Sequence, residues 1–559
     1  MNKNMMISSR CESTTSSRFS LLALFCFGVT VTALGQPDRG ISYCFLSYLC
    51  GFVSIFTLLF LLKTKIMRFL VSISWMLAVQ LFQLNWLATT TYHGKGILAV
   101  YVLLALGIAL QFGLLSLFVS SSQRFSVLRG AAIASLWTLM EISRLYYLCG
   151  FPFNAVGLVM CFHPIMLQMA SLFGMYGLTF WVMFAACLGA RAFYEKSLKR
   201  GALWMIVLLL PPFFGYSHIW YHDQKSPKAK QIDVALIQTG LAVEEKWQFP
   251  KSSERYLEPF MQWKKIFEMV EATGKKSFDL IVMPEVALPG DAFHANIDFE
   301  KVLKEILKED DRLPALCAPM AEVDALGRWQ VGHIWLSQAI ANRFKSEMII
   351  GLLDYDASLE ESYNSAFHFV PFRSFVERYE KRVLVPLAEY LPLPMMKSFL
   401  EEFGINSFFT PGTKAKVFHG QVPLSVSICY EEGYNHLIRE GKVLGAGLFV
   451  NVSNDGWFPQ SRLPVEHFNL GRLRSIENGV PLVRSCNTGI TAVVDSLGRI
   501  EAQLPEWNAW GGQFQGVLAT SLSLYSYTTL YSMVGNYLLI AMCLVILLLF
   551  FFYNKSCRL

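Results

Sequence analysis

Charge is what this chain has little of. Of its 559 residues only 16% are Asp, Glu, Lys or Arg, where an ordinary soluble domain carries roughly a quarter. A uniformly water-exposed chain is thereby excluded. No long basic block is present either: the net charge of +6 is spread thinly, which leaves no footprint for nucleic acid. Disulfide scaffolding is excluded on similar grounds. Of the 12 cysteines, only Cys317, Cys429 and Cys486 fall within 225–525, an odd and sparse set that leaves at least one thiol free. Apart from a polar, Ser/Thr-rich N-terminal tail, no repeat or low-complexity stretch appears.

The residues that replace charge are apolar, 53% of the chain, and the mean hydropathy is +0.39. They are concentrated in 20–220 and 530–553, whereas 225–525 reads as an ordinary globular domain. A membrane helix needs about 20 mainly apolar residues. Eight stretches qualify: 20–35, 41–62, 68–90, 96–119, 129–149, 165–193, 202–220 and 530–553. The first is short, and its basic flank and small-residue end (Ala33, Gly35) also suit a signal peptide; a retained anchor is the expectation. The predicted organisation is a polar tail (1–19), a helical bundle (20–220), an inserted domain (231–525), a last span (530–553) and a short tail (554–559).

Loop charges orient the bundle. Lys3, Arg10 and Arg18; Lys63, Lys65 and Arg68; Arg124 and Arg129; Lys196, Lys199 and Arg200; and Lys555 and Arg558 all fall on one side. The intervening short loops hold only Arg39 and Lys95. Positive residues stay cytoplasmic, so both termini are expected inside and 225–525 outside, in the periplasm of a bacterium. Within the fifth span, Glu141 and Arg144 are three residues apart and share a helix face. Such a pair either neutralises itself for packing or serves function. Arg144, near the outer end, is a candidate partner for a phospholipid phosphate.

From residue 231 short β-branched runs alternate with polar helical stretches. IDVALIQTG (232–240), DLIVMPE (279–285), MIIGLLDY (348–355), PLSVSICY (423–430) and GLFVNVSND (447–455) read as strands. YNSAFHFV (363–370) with FVERYEKR (375–382), and ITAVVDSLGRIEAQ (490–503), read as hairpins, and a helix is expected within 252–274. The pattern indicates a layered α/β domain.

Covalent acyl chemistry requires a nucleophile, a base and positive charge where an oxyanion forms. Cys429 ends an apolar strand and precedes Tyr-Glu-Glu-Gly, where backbone N–H groups favour a thiolate and could bind an oxyanion. A lone cysteine in that position is more often a core residue. Glu285 ends the strand DLIVMP; partial desolvation would make it a base, although strand-end carboxylates are usually just solvated. Lys381, in YEKRVLVP, offers a cation, but most such lysines are wet surface charges.

The joint context is more specific than its parts. MPEVALPG (283–290), YEKRVLVPLAEYLP (379–392) and SICYEEG (427–433) resemble, in order, the glutamate, lysine and cysteine boxes of the nitrilase superfamily. VALIQTGLAVEEKW (234–247), LWTLMEISRLYYLCGFPFN (136–154), NVSNDGWF (451–458) and RSIENGVPLVRSCNTGITAVVDSLGR (474–499) are similar to its membrane branch, the bacterial apolipoprotein N-acyltransferases. The resemblance covers nearly the whole chain. It implies a bundle of about eight transmembrane helices plus a nitrilase-like αββα sandwich, with Cys429 as nucleophile, Glu285 as base and Lys381 as oxyanion-stabilising cation. Glu389 would hold the Lys/Glu geometry or assist the second proton transfer. Tyr430 and Glu431 would shape the site beside the thiol, the Tyr430 N–H serving as a further oxyanion donor. Trp247 would lie near the lipid entrance, where a buried core aromatic is the alternative. Leu387-Ala388 stand where the family usually has Phe-Gly.

The resemblance further implies a multi-pass protein of the bacterial inner membrane with a periplasmic catalytic domain. It would need no metal or organic cofactor. A phospholipid would be the acyl donor and a diacylglyceryl lipoprotein the acceptor, through a thioester. The rivals are a membrane-tethered amidase, in which water attacks the thioester, and a catalytically inert scaffold; Phe408-Phe409 and Trp457-Phe458 are the apolar residues a transferase would expose near a bilayer. Cys486, in PLVRSCNTG, is a rival thiol read as a packing residue.

Overall fold

The computed structural model describes residues 20–36, 44–119, 126–147, 150–248, 255–308, 312–373, 375–391, 408–505 and 513–556. The predicted polar tail at 1–19 and the extreme C-terminus lie outside them. The chain divides into two units, Met1–Ile219 with Gln460–Arg462 and Val534–Leu559, and Trp220–Pro459 with Leu463–Met533.

In the first unit, helices occupy all eight expected positions: Ser20–Leu34, Cys44–Leu61, Lys65–Gln83, Ile97–Ser116, Val127–Ser143, Ala170–Glu195, Leu198–Asp223 and Tyr537–Ser556. Six are long and apolar enough to cross a membrane; Ser20–Leu34 and the 17-residue Val127–Ser143 are shorter. Tyr537–Ser556 leaves Leu544, Val545, Leu548, Phe551 and Phe552 exposed, a surface that suits hydrocarbon rather than water. Cys44–Leu61 is instead largely covered by protein.

Glu141 is buried and fully bonded. It accepts from Trp137 Nε1 and the Val156 N–H, both at 2.9 Å, and from Thr179 Oγ1 at 2.7 Å. It thereby ties Val127–Ser143 to the Val156–Phe162 turn and to Ala170–Glu195. Arg144 caps the same helix, where a cation suits the negative dipole end. Its Nε donates to Gln111 Oε1 at 2.8 Å, its guanidinium lies 5.0 Å from the Trp137 ring, and NH1 is 4.0 Å from Glu141.

The second unit is built on two six-stranded sheets. One runs Gly516–Ser523, Gln231–Gln238, Leu280–Val282, Glu347–Asp356, Glu361–Phe369, Glu377–Glu380. The other runs Ile500–Gln503, Ala492–Val494, Leu482–Cys486, Leu448–Ser453, Pro423–Ile428, Phe418–His419. The central strands of each are parallel. Period-two alternation sets the layers. Val234, Leu236, Val282 and Ile349 share one core with Val426, Ile428, Val450 and Val452 of the other sheet. Ala235, Ile237, Ile281 and Ile350 face Trp263 and Phe267 of Pro259–Glu271 and Trp335 of His333–Arg343. Helices Asn435–Val443 and Leu463–Asn478 pack on the second sheet. The order of layers is α, β, β, α, as expected.

Among the elements that escaped the sequence reading are the helix His333–Arg343, the edge strands Gly516–Ser523 and Phe418–His419, and a small sheet of Ile297–Asp298, Ala321–Val323 and Trp329–Val331. The expected strand 279–285 is also shorter, Leu280–Val282. Pro284 has no N–H for the ladder, and Val286 turns left-handed at φ +40°.

Candidate active site

Each proposed reactive group sits just past the C-terminal end of a strand: Glu285 after Leu280–Val282, Lys381 after Glu377–Glu380, and Cys429 after Pro423–Ile428. Two come from one sheet and the third from the other. Local backbone choices position them. Cys429 itself is left-handed, φ +49°, which breaks the ladder and starts the turn Cys429–Gly433. Gly351 lets the chain pass behind Glu285. A Cβ there would lie 2.6 Å from the Glu285 Cα and 2.8 Å from the Pro284 carbonyl.

Lys381 is the hub. Its buried Nζ donates to Glu285 Oε1 at 3.0 Å and to Glu389 Oε1 at 2.8 Å. Asn364 Nδ2 bridges the same two oxygens, at 2.8 and 3.1 Å. The Asn364 carbonyl also accepts from the Lys381 N–H at 2.8 Å. Glu389 is held in turn by the Val385 N–H, 2.7 Å from Oε2. The Leu387-Ala388 departure does not disturb this turn: Leu387 is the left-handed residue, φ +66°, so the position usually taken by glycine carries no such demand here.

Electrostatics follow from the geometry. Burial works against the Lys381 ammonium, but Glu285 and Glu389 together outweigh it and hold its pKa well above the usual lysine value. The partly exposed Cys429 thiol has its pKa raised, first by burial and then by the charge of Glu285, with Lys381 opposing. At rest the sulfur is therefore protonated and needs a base.

Glu431 joins the two sheets' contributions. Its Oε1 accepts from Tyr379 OH (2.9 Å), the Arg382 N–H (2.6 Å) and the Val383 N–H (3.3 Å), while Oε2 accepts from the Ile428 N–H at 2.8 Å. One carboxylate thus ties the lysine segment to the residue preceding the thiol. Tyr430 is buried against Tyr434, ring centroids 5.3 Å apart. Trp247 is partly exposed and follows the short helix Val243–Lys246. Trp457 is exposed; Phe408, Phe409 and Phe458 are half-buried.

Sequence reasoning missed a cluster of buried charges that contacts the Cys429 backbone. His467 bonds the Cys429 carbonyl through Nε2 (3.0 Å); a carbonyl only accepts, so Nε2 carries the proton. Its Nδ1 lies 2.8 Å from Asp455 Oδ1 and 3.0 Å from Arg484. Arg484, wholly buried, also reaches Glu432 (3.1 Å) and Asp455 (3.3 Å). A sulfur, a carboxylate oxygen and a ring nitrogen from Cys429, Asp455 and His467 come within 4.8 Å of one another, donor types that suit zinc. Here the nitrogen and the oxygens are already engaged by Arg484 and by each other. The signal for this cluster was an arginine inside the apolar run PLVRSC. Cys486 is wholly buried; its sulfur accepts from Arg484 at 2.8 Å, and its S–H points to the Ile490 carbonyl at 3.2 Å.

Residues 234–510 match the carbon-nitrogen hydrolase family, and residues 27–188 match the apolipoprotein N-acyltransferase N-terminal domain. Among curated relatives, the apolipoprotein N-acyltransferase of Chlamydia trachomatis is 29% identical over 570 residues, covering 96% of this chain and 98% of that one. The protein of the same name from Haemophilus influenzae is 28% identical over 509 residues, with 89% of each chain covered. That of Shewanella oneidensis is 28% identical over 422 residues, covering 75% of this chain and 72% of its own.

Proposed function

The chain belongs to the apolipoprotein N-acyltransferases, the membrane branch of the nitrilase superfamily, and we propose that it acylates the N-terminal diacylglyceryl-cysteine of lipoproteins with a chain taken from a phospholipid. The observation that carries the reading is the shared hydrogen bonding of Lys381 to Glu285 and Glu389, with Glu431 tying the Lys381 segment to the residue before Cys429.

The reaction runs in two halves. Glu285 takes the thiol proton, and the sulfur attacks the donor ester carbonyl. Lys381 and the Tyr430 N–H stabilise the oxyanion, while Glu389 keeps Lys381 in place. The C–O bond then breaks, Glu285 returns its proton to the departing lysophospholipid oxygen, and a thioester remains on Cys429. In the second half the α-amine attacks that thioester and Glu285 accepts the amine proton. The C–S bond breaks, and the proton passes to the sulfur, restoring the thiol. Both substrates are lipid-anchored, which gives the apolar helices their purpose; Trp247 and the exposed Trp457 would line the lipid approach. The alternation of loop charges supports an inner-membrane protein with its 231–525 domain in the periplasm. Arg144 would meet the donor phosphate, so Arg144→Ala should raise the KM for phospholipid several-fold; unchanged KM removes that role.

The test is intact-mass spectrometry of detergent-solubilised protein incubated with phospholipid alone. An adduct of one acyl chain on Cys429, discharged by a diacylglyceryl-cysteine peptide and absent in Cys429→Ser, is the expected result. Release of free fatty acid only, with acceptor present, would establish a hydrolase instead.

A further inference from the structure

Cys429 adopts a conformation that its β-carbon disfavours, φ +49°, and such a residue persists only where its neighbours hold it. One side is held by Glu431, whose Oε2 accepts from the Ile428 N–H at 2.8 Å. The other is held by His467, in the helix Leu463–Asn478, whose Nε2–H donates to the Cys429 carbonyl at 3.0 Å. The ring is buried and clamped, its Nδ1 lying 2.8 Å from Asp455 Oδ1 and 3.0 Å from an Arg484 nitrogen. The clamp is itself anchored. The Asp455 N–H donates to the Thr488 carbonyl at 3.1 Å, and Arg484 donates to the Ile490 carbonyl at 2.8 Å. Gly471, one turn beyond His467, makes room for the remaining carboxylate of the cluster, since a β-carbon there would collide with Glu432 Oε1.

The peptide joining Cys429 to Tyr430 is trans, and the carbonyl and N–H of a trans peptide point in opposite directions. A Cys429 carbonyl drawn towards His467 therefore turns the Tyr430 N–H the other way. We propose that His467 is a positioning residue of the acyl-transfer site: by holding the Cys429 carbonyl it aims the Tyr430 N–H at the oxyanion that forms on the acyl group. The inference rests on the reading of Cys429 as nucleophile and of the Tyr430 N–H as oxyanion donor. His467 exchanges no proton with substrate. Asp455 and Arg484 fix its ring, and the ring fixes the peptide. A donor already aimed where charge will develop needs no reorganisation when the carbonyl is attacked.

Two reactions of the same sulfur test this. Full-length protein in detergent would be mixed with saturating phospholipid carrying a labelled acyl chain, and the single-turnover rate constant of thioester formation measured. Partial unfolding lowers the amplitude of that phase and leaves its rate constant alone. In parallel, alkylation of Cys429 by iodoacetamide would be followed by peptide mass spectrometry, because alkylation uses the sulfur and forms no oxyanion. His467→Phe should slow thioester formation on the order of a hundredfold while alkylation stays within about threefold of the parent protein. His467→Gln, whose amide offers a donor near the Nε2 position, should recover the rate to within about tenfold of the parent. His467→Asn, whose shorter amide stops short of the carbonyl, should behave as His467→Phe and supplies the readout if that variant does not fold. Thioester formation at the parent rate in the Phe and Asn variants overturns the inference, as does equal slowing of both reactions or a Gln variant as slow as Phe. Cys429→Ala separates the two levels. If it still carries the acyl label, the reading of the site fails and the inference with it; if it carries none, the His467 variants judge the inference alone.

Discussion

Glu431 invites the sharpest perturbation, because one carboxylate satisfies four donors from two separated segments. Glu431→Ala would strand the Ile428 and Arg382 N–H groups and the Tyr379 hydroxyl, now bonded at 2.8, 2.6 and 2.9 Å. A buried donor left unpaired costs about 1–3 kcal/mol, and water entering the void recovers part of it, so the net loss should be about 3–5 kcal/mol. For a unit of this size that is roughly 2 °C per kcal/mol, a fall in Tm of about 6–10 °C. Glu431→Gln keeps the acceptor for the lysine segment and loses the one for Ile428, so its loss should be about 1–3 kcal/mol. Activity should fall further than stability alone explains. Once the Lys381 segment and the Cys429 turn are uncoupled, a displacement of ~1 Å lowers kcat/KM on the order of a hundredfold. Intrinsic tryptophan fluorescence during heating, paired with acyl-transfer rates on detergent-solubilised protein, reads both quantities. An alanine variant that melts within 2 °C of the parent protein, or that melts early yet transfers acyl groups at the parent rate, would refute the reasoning.

Other outcomes follow from the same geometry. Gly351→Ala should push Glu285 off its position, since the added carbon would sit 2.6 Å from its Cα; kcat should drop at least tenfold, and an unchanged kcat would show that the strand simply yields. Arg484→Leu leaves Glu432 and Asp455 buried without their cation, a loss of about 3–5 kcal/mol, and a variant with the parent Tm would contradict it. The raised pKa of Cys429 makes the thiolate a minor species near neutrality. Alkylation by iodoacetamide should therefore climb steadily from pH 7 to pH 9; a rate already flat at pH 7 would reveal a preformed thiolate.

What could be read in advance was whatever short-range pattern dictates. Apolar runs marked the positions of eight helices among the described residues, six of them long and apolar enough to cross a membrane, because hydrocarbon thickness sets the length such a run needs. Short β-branched apolar runs marked inner strands of both sheets, because those strands are buried along their length. Glu285 and Cys429 were legible as strand-end residues; Lys381 was read only as a lysine within a polar strand, and the fold places it just past the end of Glu377–Glu380. Asn364 was not legible: inside YNSAFHFV it looks like one polar residue on a hairpin, and only the fold shows it bridging two carboxylates. The strand Gly516–Ser523 escaped because its burial is poor and its partner lies nearly three hundred residues away. The Phe-Gly departure shows the converse, a local mismatch without a local demand: Leu387 is left-handed, and Ala388 is not among the left-handed residues.

That distant pairing has a mechanical meaning. Gln231 and Ser523 are register partners in an antiparallel ladder, so the first and last strands of the inserted domain begin and finish side by side, Cα atoms about 5 Å apart. The domain is stitched into the chain through one doubled ribbon. Drawing the two connections apart would peel that ribbon open bond by bond from its end. Joining them by a few residues would let the insert be cut out as a unit with its strand order intact.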